Sequence, residues 1–395
     1  MLRIAPGLQW SVPASGQLRA TLEERSLSLP WRVLAIFSAL ESPKSLAQLV
    51  SELGKHATGT VDWVELTSLI KVLIEEGVLI GESRMELAAR PTPQSREIEM
   101  HIELLNDEVR TRAYLDAIKA NVRPGDVVVD LGTGNAILAM AAARAGAARV
   151  YAIEASAFAD VAEQIIAANG LQDQVKVVRG WSNRVELPER ADVLVSEIIG
   201  NDPLDEGVLR FMPDAVHRFL KPGGRILPNR LELEVQMHAI NDEELSSHRI
   251  ADHCLKRWKA LYDFDYRPFA KHAEASGRRL YRSADQLRRW PVLSPIQSLL
   301  TVELGASLPG DNHCELEIES DPHPAAALVV RSKLWMPGGK EALLCAGHWR
   351  WPVQLLPSHP TVSHWHVEAR WGALQGGLKL ECKPRNVAES PSGAR

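Results

Sequence analysis

The run DVVVDLGTGNAILAMAAARAG, starting at Asp126, constrains the fold more than any other stretch of the chain. Val127, Val128, Val129 and Leu131 make a strand with no wet face, and a glycine-rich turn carries it straight into an alanine-rich helix. A strand that is apolar on both faces must be covered on both, which points to a parallel sheet wrapped by crossover helices. The pattern recurs in RVYAIEAS, in a helix through FADVAEQIIAANG, in QVKVVRG and ADVLVSEI, and in KPGGRILP. The middle of the chain is therefore expected to be an α/β unit of the Rossmann-like kind.

Both flanks read differently. In residues 1–90, SLPWRVLAIFSALES spaces Trp31, Val33, Leu34, Ile36, Phe37 and Leu40 as a helix face, and SPKSLAQLVSELG runs from a cap-like serine to a glycine. DWVELTSLIKVLIEEGVLI reads as a third helix turning at Gly77 into a short strand. This order predicts a small, mainly helical, winged-helix-like domain. AARPTPQSRE, about 88–97, has the composition of a linker. Past Pro228, stretches such as LELEVQMHAI, SLLTVELG, AALVVRSKLWM and LKLECK alternate as antiparallel strands, with a helical, basic and aromatic insertion at about 241–290. The expected division is a recognition domain at 1–90, a cofactor-binding domain at 91–230, a β-barrel-like domain with a helical arm at 231–386, and a flexible tail at 387–395.

Composition narrows the partners. A chain of 395 residues has room for two or three domains. With 45% hydrophobic residues and a net charge of −5 it is not a disordered chain, and it lacks the basic footprint of a nucleic-acid binder. The start, MLRIAPGLQWSVPASG, has no secretion-signal pattern, and no run of about 18 apolar residues occurs, so a cytoplasmic location is expected. Cys254, Cys314, Cys345 and Cys382 form no CxxC pair and are expected as free thiols, with no metal site.

The chemistry concentrates after the strands. Asp130, Gly132 and Gly134 close the first strand, where glycines let backbone approach a ligand and a helix N-terminus offers free N–H groups. Glu154, about 20 residues on at the end of the next strand, is placed for ribose hydroxyls. The loop lacks a full GxGxxG, and FLKPGGRILP ends the sheet in the manner of class I methyltransferases, so S-adenosylmethionine (SAM) is favoured over a dinucleotide. Beyond ADVLV, the loop SEIIGNDPLDEGVL carries Glu197 and Glu206. Taken alone, these are either solvated loop glutamates or a two-carboxylate grip on a cation.

MHIELLNDEVRTRAYLDAI, DLGTGNAILAMAAARAGAARVYAIEAS and SEIIGNDPLDEGVL, in order over about residues 98–235, resemble the protein arginine methyltransferase family. AGHWRWPVQLLP is similar to that family's Thr-His-Trp loop. The resemblance implies that Glu197 and Glu206 bind a substrate guanidinium, and that Arg110 pairs with the carboxylate of SAM. It further places His101 at the SAM site and pairs Asp107 with the loop histidine, for which His348 fits better than His364. Ser182 and Asn183 stand where the family contacts adenine, without its usual acid. The physical logic agrees: two carboxylates fix the plane of a guanidinium, a poor nucleophile whose lone pairs are delocalised, and draw its charge away from the attacking nitrogen.

Two departures bear on the outcome. Ala136 replaces a third loop glycine, and PTPQSREIEM lacks the tyrosine-containing helix of members that make asymmetric dimethylarginine, so a monomethyl or symmetric product is expected. The resemblance also implies a homodimer through the 241–290 arm. The first ninety residues are expected to bind a peptide or protein rather than DNA, as similar modules bind leader segments of ribosomally made precursor peptides by strand addition. Two other readings stay open: a methyltransferase acting on histidine, an amine or a small metabolite, and a DNA-binding regulator with a SAM-sensing fold.

Overall fold

The computed structural model describes residues 2–11, 18–22, 25–30, 32–54, 66, 69–70, 72–74, 78–81, 95–241, 244–245, 250, 252–270, 279–306, 311–339, 342–372 and 377–385. Most of the expected linker, the tail, and parts of the third helix and the arm lie outside these residues.

The first unit holds strands that the sequence reading passed over. Strands β1 (Leu2–Ile4), β2 (Gln9–Ser11), β3 (Leu18–Leu22) and β4 (Arg25–Leu29) precede helices α1 (Val33–Ala39) and α2 (Leu46–Gly54), and β5 (Leu79–Gly81) pairs antiparallel with β1. Strands β2, β3 and β4 form a separate antiparallel sheet. Ser28 and Leu29, which open the stretch read above as a helix, belong instead to an extended segment in which Leu27 and Leu29 point inward, and the helix begins only after Pro30. Leu18, Val33, Ile36, Leu49, Leu73 and Leu79 close a core separate from the rest.

Helices α3 (Ser95–Asn106) and α4 (Glu108–Asn121) lead into the parallel unit. It comprises β6 (Val127–Leu131), α5 (Ile137–Arg144), β7 (Arg149–Glu154), α6 (Phe158–Ala168), β8 (Val175–Arg179), β9 (Ala191–Ser196), α7 (Val208–Phe219) and β10 (Leu220–Leu227). The sheet order is β10-β9-β6-β7-β8, parallel throughout, with Val129 between Tyr151 and Leu194. Every residue of β6 is buried, as its unbroken apolar run requires. The chain winds outward from β6 in both directions, so the crevice beyond the carboxyl end of β6 is the switch point where open α/β sheets bind ligands.

The remainder is antiparallel. It contains β11 (Arg230–Ala239), α8 (Asp252–Tyr262), β12 (Arg279–Arg282), α9 (Ala284–Leu287), β13 (Gln297–Glu303), β14 (Asp311–Glu319), β15 (Ala326–Trp335), β16 (Leu343–Leu344), β17 (Trp351–Leu355), β18 (His364–Gly372) and β19 (Lys379–Pro384). One sheet runs β12-β17-β15-β11-β13 with β16 on β15, and a second runs β14-β18-β19. Strand β11 alternates buried and half-buried residues up to its last buried turn. Both sheets share one core with the parallel unit, from Val128 to Leu328 and Val367. Helix α8, in the expected arm, buries none of its residues; Leu261 and Tyr262 at its end and Phe264 and Phe269 after it are exposed. The four cysteines are free, and no described helix is long and apolar enough to cross a membrane.

Candidate active site

Three loops meet at the carboxyl edge of β6, β7 and β9. The first follows β6. Asp130 is 1% exposed; its Oδ2 accepts from Thr133 Oγ1 at 2.6 Å, while Oδ1 is buried without a partner. Burial pushes its carboxyl up to about 6, against the pull of the Thr133 bond. Gly132 and Gly134 adopt φ +75° and +51°, the left-handed region that side chains resist. Space is as short as conformation: a Cβ on Gly134 would lie 2.5 Å from His101 Cε1, and one on Gly132 would lie 2.9 Å from Ile198 Cγ2. Ala136 takes φ +62° where the third glycine was missed, so alanine is accommodated there at the cost of a left-handed residue.

Glu154 ends β7 beside this loop. Its Oε2 accepts the Gly134 amide at 2.9 Å and its Oε1 the Ser156 amide at 2.8 Å. Each oxygen keeps a second lone pair for a hydroxyl donor. His101, on α3, lies over Phe158 with ring centroids 3.8 Å apart, and its Nδ1 is buried without a partner. Burial, helped by the Arg110 charge, lowers its pKa to about 4, so the imidazole is neutral near pH 7. Ser182 is buried and its carbonyl accepts from Arg218 Nη1 at 2.6 Å; Asn183 Oδ1 is buried without a partner.

The first turn of α4 joins this side to the next. Asp107 is its N-cap, accepting the Arg110 amide at 3.1 Å. Arg110, 4% exposed, reaches from the same turn to Glu197 Oε2 at 2.5 Å and leaves Nε and Nη1 buried without partners. Below it, fully buried Tyr114 holds its ring 5.6 Å from the guanidinium and donates from its hydroxyl to the Ser196 carbonyl at 3.2 Å. Tyr114 was not singled out from sequence. Its place four residues after Arg110, on the same helix face, is the signal that could have found it.

The loop after β9 carries the paired glutamates. Glu197 is pinned by Arg110 and also accepts the Ile199 amide at 3.3 Å. Among the described residues no cation pairs with Glu206: burial first, then the charges of Glu197 and Asp205, push it up to about 8. Asp205, also overlooked in the sequence, is pushed up to about 7 by burial and then by Asp202. The antiparallel half braces this loop. Trp349 Nε1 donates to the Ile199 carbonyl at 2.7 Å, the Arg350 amide to Asn201 Oδ1 at 2.6 Å, and Arg279 pairs with Asp202.

His348 completes the constellation. Its Nδ1 lies 2.8 Å from Asp107 Oδ2, which also accepts the His348 amide at 3.0 Å. Burial alone would raise the Asp107 pKa, but the bonds from His348 and the Arg110 amide outweigh it and hold the carboxyl below the ordinary range. Gly347 permits this approach, since any side chain there would collide with the Asp107 carboxylate. His364 lies exposed on β18 and bonds Ser363 instead. The twelve residues preferred from sequence, among them His348 over His364, flank the same edge, with Glu197, Arg110, Asp107 and His348 linked in one chain of contacts.

The chain is similar to known methyltransferases. The family model described as ribosomal protein L11 methyltransferase (PrmA) matches residues 109–255. The chain is 40% identical over 148 residues to protein arginine N-methyltransferase 6 of Danio rerio, covering 37% of this chain and 42% of that protein. It is 33% identical over 215 residues to protein arginine N-methyltransferase 1 of Oryza sativa subsp. indica, covering 54% and 52%. The chain thus spans about half the length of these relatives. The fold is similar to that of the Trypanosoma brucei PRMT1 enzyme–prozyme heterotetrameric complex with AdoHcy, with TM-score 0.60, 21% identity, and coverage of 73% of this chain and 94% of that one. It is also similar to a crystal structure of PRMT6, with TM-score 0.53, 19% identity, and coverage of 73% and 99%. Residues 109–255 match that methyltransferase model, and the likeness in fold to the solved structures extends over 73% of the chain.

Proposed function

We propose that this protein is a SAM-dependent methyltransferase acting on an arginine guanidinium of a peptide or protein. The observation that carries the reading is the loop after β9, where two glutamates of one site differ in their partners. Glu197 is held by Arg110, and Glu206 is left with a high proton affinity and, among the described residues, no cation. An incoming guanidinium supplies the missing positive charge.

The residues around the switch point fit SAM. Arg110 has two buried donors to spare for a carboxylate, Asp130 and Asn183 each present a buried acceptor, and Gly132 and Gly134 leave the backbone open. Glu154 has lone pairs left for ribose hydroxyls. When bound, SAM supplies an electrophilic methyl group on a positively charged sulfur.

The protein orients the acceptor. Glu197 and Glu206 bond the guanidinium N–H groups, fix its plane and leave one nitrogen facing the methyl. Positive charge nearby favours the carboxylate of Glu206, so binding of the substrate releases its proton. Methyl transfer then leaves one surplus proton on the substituted nitrogen. A carboxylate bonded to that guanidinium is placed to accept it. The Asp107–His348 pair holds the antiparallel half against the first turn of α4, and with it Arg110 and Glu197.

The first ninety residues serve as a recognition domain for a precursor peptide or protein. Among the described residues β2 and β4 each pair on one side only, and β2 is exposed along its length, which supports strand addition at that edge. The exposed aromatic arm around α8 supports a homodimer. The domain divisions at 1–90, 91–230 and 231–386, a cytoplasmic location, and a monomethyl or symmetric product complete the reading.

The test is mass spectrometry of an arginine-containing peptide pool incubated with SAM and either wild type or Glu206→Gln. A gain of one or two methyl groups on arginine, lost in the variant, is expected. Modification of histidine or an amine that survives Glu206→Gln would transfer the assignment to that acceptor, since a neutral acceptor gives two carboxylates no partner.

A further inference from the structure

Tyr114 is a fully buried phenol at the charged centre of the site, with Arg110, Glu197 and Asp130 all close enough to bear on its proton. It follows Arg110 by one helical turn, so both side chains leave the same face of α4. Its ring centroid lies 5.6 Å from Arg110 Cζ, within the range of a cation–π contact. The guanidinium needs such a support. Of its N–H donors, Nη2 meets Glu197, while Nε and Nη1 are buried without partners. A single bond on one edge leaves the group free to tilt, and a long side chain has many rotamers to lose. Glu197 holds that edge, and the Tyr114 ring closes one face.

The hydroxyl points to a second task. A buried phenol must find an acceptor, and Tyr114 Oη donates to the Ser196 carbonyl at 3.2 Å. Ser196 is the last residue of β9, next to Glu197. It is itself 2% exposed, and its Oγ donates at 2.8 Å to the carbonyl of Leu131, which ends β6 just before Gly132. A buried line of contacts therefore runs from α4 through β9 to β6, joining Arg110, the backbone of Glu197 and the glycine loop. Burial, then the Glu197 charge, push the phenol well above its ordinary range, so it stays a donor at neutral pH. Packing alone would be met by phenylalanine.

We infer that Tyr114 is a positioning residue: its ring holds the Arg110 guanidinium in place for the SAM carboxylate, and its hydroxyl holds the start of the two-glutamate loop in place for the substrate. The inference rests on the arginine-directed reading above and adds to it a residue that acts through two others. When the ring loses its hold, the guanidinium leaves its place before SAM arrives, and SAM affinity falls with the fraction of molecules still competent. A cation–π contact away from water corresponds to about a three- to thirtyfold effect. One neutral hydrogen bond corresponds to about a two- to tenfold effect.

The experiment uses the full chain carrying Tyr114→Phe, or mono-, di- or trifluorinated phenylalanine introduced at the same position. Fluorination keeps the shape of the ring while draining the negative charge from its face. SAM Kd is read by isothermal calorimetry, whose stoichiometry counts the folded protein, and kcat/KM is read on an arginine peptide. Tyr114→Phe should keep SAM Kd within about twofold of wild type and lower kcat/KM about two- to tenfold. SAM Kd should then rise stepwise along the fluorinated series, to about three- to thirtyfold at its end. A tyrosine that only packs would shift the unfolding midpoint and leave both patterns flat. An unchanged SAM Kd across the series, or an unchanged kcat/KM in Tyr114→Phe, overturns the inference. If wild type methylates no peptide on arginine, the arginine-directed reading fails, and the SAM series by itself still decides whether the ring holds Arg110.

Discussion

Replacing Glu206 by Gln removes a charge that the folded protein resists, and the size of the effect follows from the proton affinity of that side chain. Its pKa rises from an ordinary 4.5 to about 8, through burial and then through Glu197 and Asp205. Below pH 4.5 the carboxyl is protonated in both folded and unfolded chains, so wild type and variant are equally stable. Between 4.5 and 8 the unfolded chain ionises while the folded one keeps its proton, and wild type loses stability as pH rises. At 1.36 kcal/mol per pH unit the loss levels off above pH 8 at no more than about 5 kcal/mol. Because Glu206 is only partly buried, relaxation and water reduce this, and we expect about 2–5 kcal/mol.

The assay is urea unfolding of both proteins at pH 5, 7 and 9, followed by tryptophan fluorescence, with the midpoint of the main transition compared at each pH. Titrations common to both proteins cancel in the difference. The Gln variant should match wild type near pH 5 and gain on it steadily to pH 9. A stability difference that stays flat with pH, or that favours wild type at pH 9, would refute the assignment of Glu206 as a glutamate held in its protonated form. The same titration should appear in catalysis: kcat/KM of wild type for an arginine peptide should rise with pH up to about 8, because the free enzyme must ionise Glu206 to hold a guanidinium.

Three further outcomes are expected. Arg110→Met strips Glu197 of its cation in a nearly dry setting and should cost about 3–5 kcal/mol in thermal or denaturant stability, with SAM affinity by calorimetry reduced at least about tenfold. Gly134→Ala forces a side chain into φ +51° and onto His101, so SAM binding should weaken by about 1–3 kcal/mol while far-UV circular dichroism is unchanged; tight binding would show that the loop tolerates a side chain. Asp107→Asn weakens a charge-assisted bond to His348, and kcat should fall about 10- to 100-fold with SAM affinity changed less than about threefold, as read by single-turnover kinetics against equilibrium binding.

Much of the fold was legible because its signals are local. The apolar run of β6, the turn at Gly132 and Gly134, and the alanine-rich helix after them each occupy a few consecutive residues, and all formed where the pattern put them. The helices at Val33–Ala39 and Leu46–Gly54 also fell within the expected segments. Strands β1, β2 and β4 did not show themselves. They are three to five residues long, β2 has no buried residue to create alternation, and β1 is a strand only because residues 79–81 return to pair with it. Period-two patterning needs a buried face, and very short strands borrow theirs from partners distant in sequence.

The sequence by itself determined the inventory: an α/β sheet with a glycine loop, an acid at the end of the second strand, and two glutamates nine residues apart after β9. These are properties of neighbouring residues, set by side-chain period and backbone freedom. Only the tertiary structure decided how the charges pair. Arg110 meets Glu197 from 87 residues away, Asp107 meets His348 from 241 residues away, and His364, the weaker match in the sequence, is left on the surface. Glu197 and Glu206 are the same amino acid in the same loop, yet one is held by a cation and the other keeps its proton to about pH 8. The physical reason is that a charge takes its energy from the water it has lost and the charges around it, and the folded chain sets both by bringing together segments far apart in sequence.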